Sequence, residues 1–339
     1  MKLYSLLIVL PRELSFRKAS KRRLIRKLFQ LTLILVLGIS CNTTIRNSGI
    51  VSPVIDTLQG VSLLGNKLIA ESLNPETDSA RISAYIQAEK NYLENPGDAM
   101  ALIWKGRRMA YLGDYKKAID IFTEGIDKFP DDARIYRHRG HRYISLRQFD
   151  KAISDLEKAV ELIDGTEDMT EPDGIANARN QPVSTTHRNI WYHLGLACYL
   201  VDDMENALRG FKECLAISDN PDMKVASSHW VYMILRRLGR EDEASAILEP
   251  VTADMDVYEN MSYHSLLLFY KGELSESDLI GETGEISTAG NAVLYGLGNW
   301  YYYNGDTEKA EEIFKTLVDK GIWAAFGTIA AEADLARMK

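Results

Sequence analysis

From residue 99 onward, apolar side chains recur at alternating spacings of three and four, the period of a helix with one buried face. ALIWKGRRMAYL (101–112) predicts one such helix and YKKAIDIFTEGIDKF (115–129) the next. Gly113-Asp114 makes the turn between them, and Pro130 stops the second. The pattern then repeats at a spacing of 34 residues: Gly106 returns as Gly140, Tyr115 as Phe149, Ala118 as Ala152 and Phe122 as Leu156. A small residue is required where two helices cross closely, because a bulky one would hold the backbones apart. Gly106 and Ala118 supply that contact in the first unit, Gly140 and Ala152 in the second. Leu102, Tyr115 and Phe122, then Tyr136, Tyr143, Phe149 and Leu156, fill the space beside it. One hairpin of this kind cannot bury its apolar face alone, so units must stack.

Further units follow. Trp191, Leu194-Gly195, Ala207 and Phe211 mark a third, and Gly239, Ala244 and Leu248 a looser fourth with Tyr232 in the small-residue slot. Leu297-Gly298, Tyr301, Gly305, Ala310 and Phe314 mark another near the end. With these residues the chain resembles the tetratricopeptide repeat family, whose 34-residue unit places Trp/Leu, Leu-Gly, Tyr, Ala, Phe, Ala and Pro at these positions. The resemblance implies an all-α fold, a tetratricopeptide-type α-solenoid in which helix hairpins wind into a right-handed superhelix. Clear repeats are expected at about 99–132, 133–166, 188–221, 225–256 and 291–322. Degenerate ones are expected at 79–96 and 257–283. Residues 323–337, WAAFGTIAAEADLAR, read as a C-terminal capping helix, and the whole solenoid as 77–338.

Charge changes the picture at the N-terminus. Residues 1–40 hold nine Lys/Arg and one acid, Glu13, which leaves 31 basic and 47 acidic residues in 41–339, a net of −16. So acidic a body is a poor general binder of nucleic-acid phosphates. The basic run RKASKRRLIRK (17–27) precedes the apolar run LFQLTLILVLGIS (28–40), the layout of an export signal. The apolar run falls short of the roughly 20 residues that span a bilayer. Gly38-Ile39-Ser40-Cys41 resembles the lipobox of bacterial lipoproteins, which implies lipidation at Cys41 and a periplasmic or outer-membrane location. Gly38 stands where that family prefers Leu, and an ordinary cleaved signal with an incidental Cys is the other reading. Residues 1–16 carry an apolar run of their own, LYSLLIVL, closed by Pro11. They point to a translation start downstream at a non-Met codon, since the next Met is Met100. Residues 41–76, with Pro53 as a breaker, read as a tether, and the more apolar Val61–Gly65 as a piece that docks on the first helices.

In the family resembled, the first helix of each pair lines a concave face that holds partners. Carried onto this sequence, that face consists of Arg107, Tyr111, Arg134, Arg137, His141, Tyr192, Tyr199, His229, Arg236, Asn299 and Tyr302. These are basic and aromatic on an acidic chain. Arginine forks suit carboxylates, and tyrosine rings give contact area at low entropic cost. The expected partner is a protein or peptide segment with acidic groups, bound by a non-catalytic scaffold of the bacterial envelope, with no cofactor. The family's chaperone-tail clamp needs Lys and Asn where Ile103 and Arg107 stand, so that subtype does not fit.

Residues 165–187 interrupt the array with GTEDMTEPDGIANARNQPVSTTH, either a cover folded over the groove or a floppy insert. Its Ser184-Thr185-Thr186 reads as a helix cap. His138 and His141 have a workable metal-ligand spacing, but Arg137, Arg139 and Arg142 beside them repel a cation. No phosphate loop or nucleophile elbow occurs, and acid pairs such as Glu311-Glu312 and Asp202-Asp203 read as surface charge. Cys198 and Cys214 share one repeat and read as two buried small hydrophobes, with a disulfide as the alternative. The alternative function is a solute- or glycan-binding lipoprotein in which Trp191, Trp230, Trp300 and Tyr301–Tyr303 stack on sugars. A third is an enzyme with its site under the 165–187 loop, for which the sequence offers no convergent titratable groups.

Overall fold

Each predicted hairpin forms where a turn residue takes a left-handed backbone, and in several an acid caps the next helix. The computed structural model describes residues 53–281, 288–320 and 322–339, all in the unit Ser52–Lys339. The run expected to be an export signal, and Cys41, lie outside the described residues. Those residues hold fourteen helices and one β-hairpin. The helices are α1 (Ser79–Glu94), α2 (Ala99–Tyr111), α3 (Tyr115–Lys128), α4 (Ala133–Ser145), α5 (Phe149–Ile163), α6 (Thr186–Leu200) and α7 (Met204–Ala216). After them come α8 (Pro221–Arg237), α9 (Glu241–Leu248), α10 (Met261–Tyr270), α11 (Glu276–Gly281), α12 (Thr288–Tyr303), α13 (Thr307–Lys320) and α14 (Phe326–Met338). The pairs α2/α3, α4/α5, α6/α7, α8/α9 and α12/α13 pack internally and stack on one another, so the fold is an all-α solenoid of tetratricopeptide type.

Many of the acids that make the chain so negative serve as caps. Asp98, Asp114, Asp132 and Asp203 each accept a backbone N–H from the first turn of α2, α3, α4 and α7. Such a cap contributes about 1 kcal/mol. The small residues sit where the helices cross: a Cβ on Gly210 would lie 2.9 Å from the backbone of Gly195, and one on Gly106 2.4 Å from the Phe122 ring. Phe211 stacks on Trp230 with ring centroids 5.3 Å apart, joining the third pair to the fourth. Cys198 and Cys214 are both buried and unbonded.

The turn between paired helices takes a positive φ at Gly113 (95°), Gly239 (68°) and Gly305 (90°). The second and third pairs depart from this, the third with Asp202 at φ 66°. Arg147, 34 residues after Gly113, holds φ 60° with a full side chain. A non-glycine residue pays about 1–2 kcal/mol there, and its side-chain contacts, described below, hold it in place.

Two expectations need correction. Within the predicted tether, residues 58–69 form a hairpin. β1 (Leu58–Val61) pairs antiparallel with β2 (Lys67–Ile69), with Leu58 opposite Ile69 and Val61 opposite Lys67. Polar groups seat it at the turn before α3, where Gln59 Oε1 accepts the Lys116 N–H (3.0 Å) and Asp114 Oδ2 the Asp56 N–H (3.1 Å). The C-terminal helix also does more than cap the last pair. It packs on α12 and α13 and reaches α6, and its Phe326 ring lies 5.1 Å from His141 and 5.7 Å from His193. It therefore enters the inner face of the array.

Candidate functional site

Three segments meet on the inner face formed by the first helices of the pairs. They are α2/α4/α6, the 165–187 insert, and α14. The insert is an ordered strap. Glu171 N–H donates to Ser184 O (2.9 Å) and Thr186 N–H to Met169 O (2.9 Å), a short antiparallel clasp at its base. Its far side is tied down by Asn177 Nδ2 donating to Glu259 Oε2 (2.9 Å) and by the Arg179 guanidinium 4.0 Å above the Tyr258 ring. The predicted cap is realised differently: Thr185 occupies the N-cap of α6 without a side-chain bond, and Asp168 Oδ1 accepts the His187 N–H instead (2.9 Å).

The strap delivers an acid to the arginines. Glu171 is buried, with Oε1 3.3 Å from Arg137 Nη1 and 3.9 Å from Arg107 Nη1. Its Oε2 accepts from Asn189 Nδ2 (3.0 Å). Arg107 Nη1 also donates to Pro172 O (3.0 Å), and Arg108 Nη1 to Gly174 O (3.0 Å). Behind Glu171 lies a chamber of about 150 Å³. It is lined by Arg107, Ala110 and Tyr111 of α2, Phe122 of α3, Arg137, His138, His141 and Arg142 of α4, and His193 of α6. A second cavity of about 250 Å³ under the strap shares Arg107 and His138 and adds the apolar Met100, Ile103, Met169 and Pro172.

Burial, reinforced by the neighbouring guanidiniums, holds His138, His141 and His193 well below the usual histidine range, so all three are neutral at pH 7. Burial likewise lowers Arg137 and Arg142, and repulsion from Arg107 adds to it, although arginine keeps its proton in proteins. Arg137 Nε and His193 Nε2 are buried without a hydrogen-bond partner. Arg142 stacks on the Tyr115 ring at 4.9 Å.

Farther along, the inner face is filled by the chain itself. Asp334 of α14 accepts from both terminal nitrogens of Arg237 (2.8 and 2.6 Å) and from Tyr295 Oη (2.9 Å), which bonds Tyr199 Oη (2.6 Å). Asn299 Oδ1 accepts from Arg237 Nε (2.6 Å). Desolvation opposes the Asp334 charge, but Arg237 and Arg337 outweigh it and hold the carboxyl below its ordinary range.

This sorts the eleven predicted concave residues. Tyr199, His229 and Asn299 are 0–1% exposed. Tyr192 is buried too, its hydroxyl taking the Trp230 indole N–H (2.8 Å). His229 lies between the Tyr263 and Tyr270 rings (4.8 and 5.9 Å). Those four are interior residues and offer no surface, because α8, α10, α12 and α14 close over them. Arg107 and Arg137 are held by the strap, and His141 packs between His193 and Phe326. Tyr111, Arg134, Arg236 and Tyr302 remain accessible. Arg134 bonds its own cap Asp132 (2.8 and 2.6 Å), Arg236 reaches Asn304 (3.0 Å), and the Tyr302 ring faces Arg237 at 4.7 Å. Of the aromatics suited to sugars, Trp230 is a core residue. Among the described residues no group of three or more His, Cys, Asp or Glu is arranged to hold a metal. None of their helices is long and apolar enough to cross a membrane.

Sequence reasoning missed Glu171, His193 and Arg142 as members of one site. The spacing of Arg137 and Arg142 on one helix was visible, but the strap acid that meets Arg137 was not.

Models of the tetratricopeptide repeat match residues 133–164 and 292–320, the second pair and the last one. These are tetratricopeptide repeats. Over 148 residues the chain is 26% identical to sperm-associated antigen 1 of Rattus norvegicus, and over 121 residues 30% identical to tetratricopeptide repeat protein 12 of Homo sapiens. The matches take up 44% and 35% of this chain but only 14% and 16% of those proteins. Among solved structures it is similar to YrrB, described as a TPR protein with an unusual peptide-binding site, at 16% identity and a TM-score of 0.39. That likeness covers 71% of this chain and 97% of YrrB. The MamA protein aligns at 16% identity and a TM-score of 0.38, covering 59% of this chain and 91% of MamA.

Proposed function

We propose that this chain is a non-catalytic protein-binding scaffold, exported to the bacterial envelope and anchored by a lipid on Cys41. Tetratricopeptide proteins generally mediate protein–protein interactions, and the two matched repeats carry that reading. The basic run at 17–27, the apolar run at 28–40 and the lipobox-like Gly38–Cys41 support export and anchoring. The partner presents an extended segment with acidic groups to the inner face. First contact falls on the accessible rim, at Tyr111, Arg134, Arg236 and Tyr302. Arg107 and Arg137 join when the strap lifts, since Glu171 already meets them as a partner carboxylate would. Photo-crosslinking in intact cells from position 111 or 134, with the outer-face position 154 as control, tests this. One defined protein captured at 111 and 134, absent at 154 and lost in Arg137→Glu, supports the scaffold. Equal capture at all three positions, or none at any while the chain is abundant, overturns it.

A further inference from the structure

The chamber behind Glu171 is unbalanced in charge. Three guanidiniums, those of Arg107, Arg137 and Arg142, line a space of about 150 Å³; Glu171 lies within 4 Å of Arg107 and Arg137, and among the described residues no carboxylate lies within 4 Å of Arg142. The Glu171 carboxylate is also shared with Asn189. Of the other arginines on that helix, Arg134 bonds Asp132 (2.8 and 2.6 Å) and Arg139 makes a bidentate pair with Asp155 (2.7 and 2.7 Å), so those acids do not balance the chamber. Leaving a buried charge without a partner is costly. One further polar atom points the same way. Arg137 is 8% exposed, and its buried Nε donor has nothing to bond. Buried donors in native proteins nearly always have a partner.

We propose that the Arg107–Arg137–Arg142 chamber is a binding site for a small oxyanion, a carboxylate or phosphate group, held with the strap closed. The neutral imidazoles suit this role. They add nothing to the repulsion among the guanidiniums: His193 gives its one N–H to Asn189 O (2.6 Å), and His138 accepts from Arg137 Nη1 (2.7 Å) through Nδ1, which leaves its N–H on Nε2. Guanidinium forks match both oxyanions in bidentate geometry. The size restricts the ligand: pockets for drug-sized molecules run roughly 300–1,000 Å³, so this one takes a headgroup of a few atoms. The adjoining cavity, with Met100, Ile103, Met169 and Pro172 on its walls, gives a short apolar extension somewhere to go past Arg107 and His138. The site needs no protein partner, so it stands or falls separately from the scaffold reading.

The test titrates the full-length chain, in low-chloride buffer, with sodium phosphate and separately with sodium acetate and succinate, by calorimetry and thermal melting. Saturable binding of one equivalent of either anion, with a rise in melting temperature, is expected. Phosphate alone binding identifies a phosphate-bearing ligand, and the carboxylates alone binding identifies an organic acid. Arg142→Gln is expected to weaken binding at least about tenfold while melting no lower than the wild type without anion, because it removes a like charge. Glu171→Gln has the opposite sign: removing the internal counter-ion is expected to tighten binding by about tenfold or more. No saturable binding of any of the three anions, or equal binding by the wild type and both variants, overturns the site.

Discussion

Arg147 occupies a left-handed turn position that three of the other pairs give to glycine, and what holds it there can be removed with one substitution. Its Nε and Nη2 donate to Glu332 Oε1 and Oε2 (3.2 and 2.7 Å). Nη2 also bonds Trp323 O (2.9 Å), and Glu332 Oε1 takes the N–H of Leu63 in the β-hairpin (2.6 Å). The side chains of the pair are 2% and 3% exposed. Glu332→Ala thus leaves a guanidinium buried without its anion, releases the hairpin, and exposes the turn strain. Breaking a buried pair from one side costs about 3–5 kcal/mol. For a body of this size each kcal/mol moves the melting temperature by roughly 2–4 °C, so a drop of about 6–20 °C is expected. Arg147→Gly separates the effects, since it relieves the backbone while losing the ion pair, and it should melt above Glu332→Ala. The double variant Arg147→Gly/Glu332→Leu, with neither charge left, should recover more than half of the loss. Circular dichroism melts of the four proteins measure this. Glu332→Ala within 1 °C of the wild type, or a double variant no better than Glu332→Ala, would refute the reasoning.

Other outcomes follow from the same structure. Burial holds His138, His141 and His193 far below their unfolded value and His229 at about 3, so the unfolded chain binds protons first. The stability these groups contribute is fully present above about pH 6.5 and is lost as pH falls below it, by up to about 1.4 kcal/mol per histidine and pH unit. Melting temperature should therefore decline from pH 7 to pH 5, and His229→Gln should flatten the slope; a flat wild-type profile contradicts the assignment. Gly210→Ala drives a methyl group into the Gly195 backbone and should cost about 1–3 kcal/mol by urea unfolding. Gly97→Ala, with open space around it, should cost under about 0.5 kcal/mol, the range of ordinary surface changes. Cys41→Ala should abolish incorporation of a labelled fatty acid, and unchanged labelling would remove the lipid anchor from the proposal.

The repeat was legible because it rests on local physics. Close helix crossings demand Gly106, Ala118, Gly140 and Ala152, and a 34-residue period makes them visible together. The inner face was misread for a reason equally physical. Tyrosine and asparagine at helix positions read as a wet groove, yet Tyr199 and Asn299 are buried, where Tyr295 and Arg237, distant in sequence, bond them. Glu332 and Asp334 fall within the predicted capping helix, and nothing local reveals that Arg147 and Arg237 await them. The strap is rich in polar residues and holds several acids, and only its tertiary contacts set Glu171 apart from the others. The hairpin strands, four and three residues long, are too short for alternation to declare them.

The central claim is that the inner face is already occupied by the chain's own strap, with Glu171 in the place of an acidic partner. Hydrogen exchange of peptides covering 169–172 and 184–187 tests it most directly, because the amides of Glu171 and Thr186 are bonded across the strap's base. The account predicts slow exchange there in the isolated protein, faster exchange in Arg137→Glu, and no such change in α13. Exchange at the rate of an unstructured peptide in the wild type would contradict it.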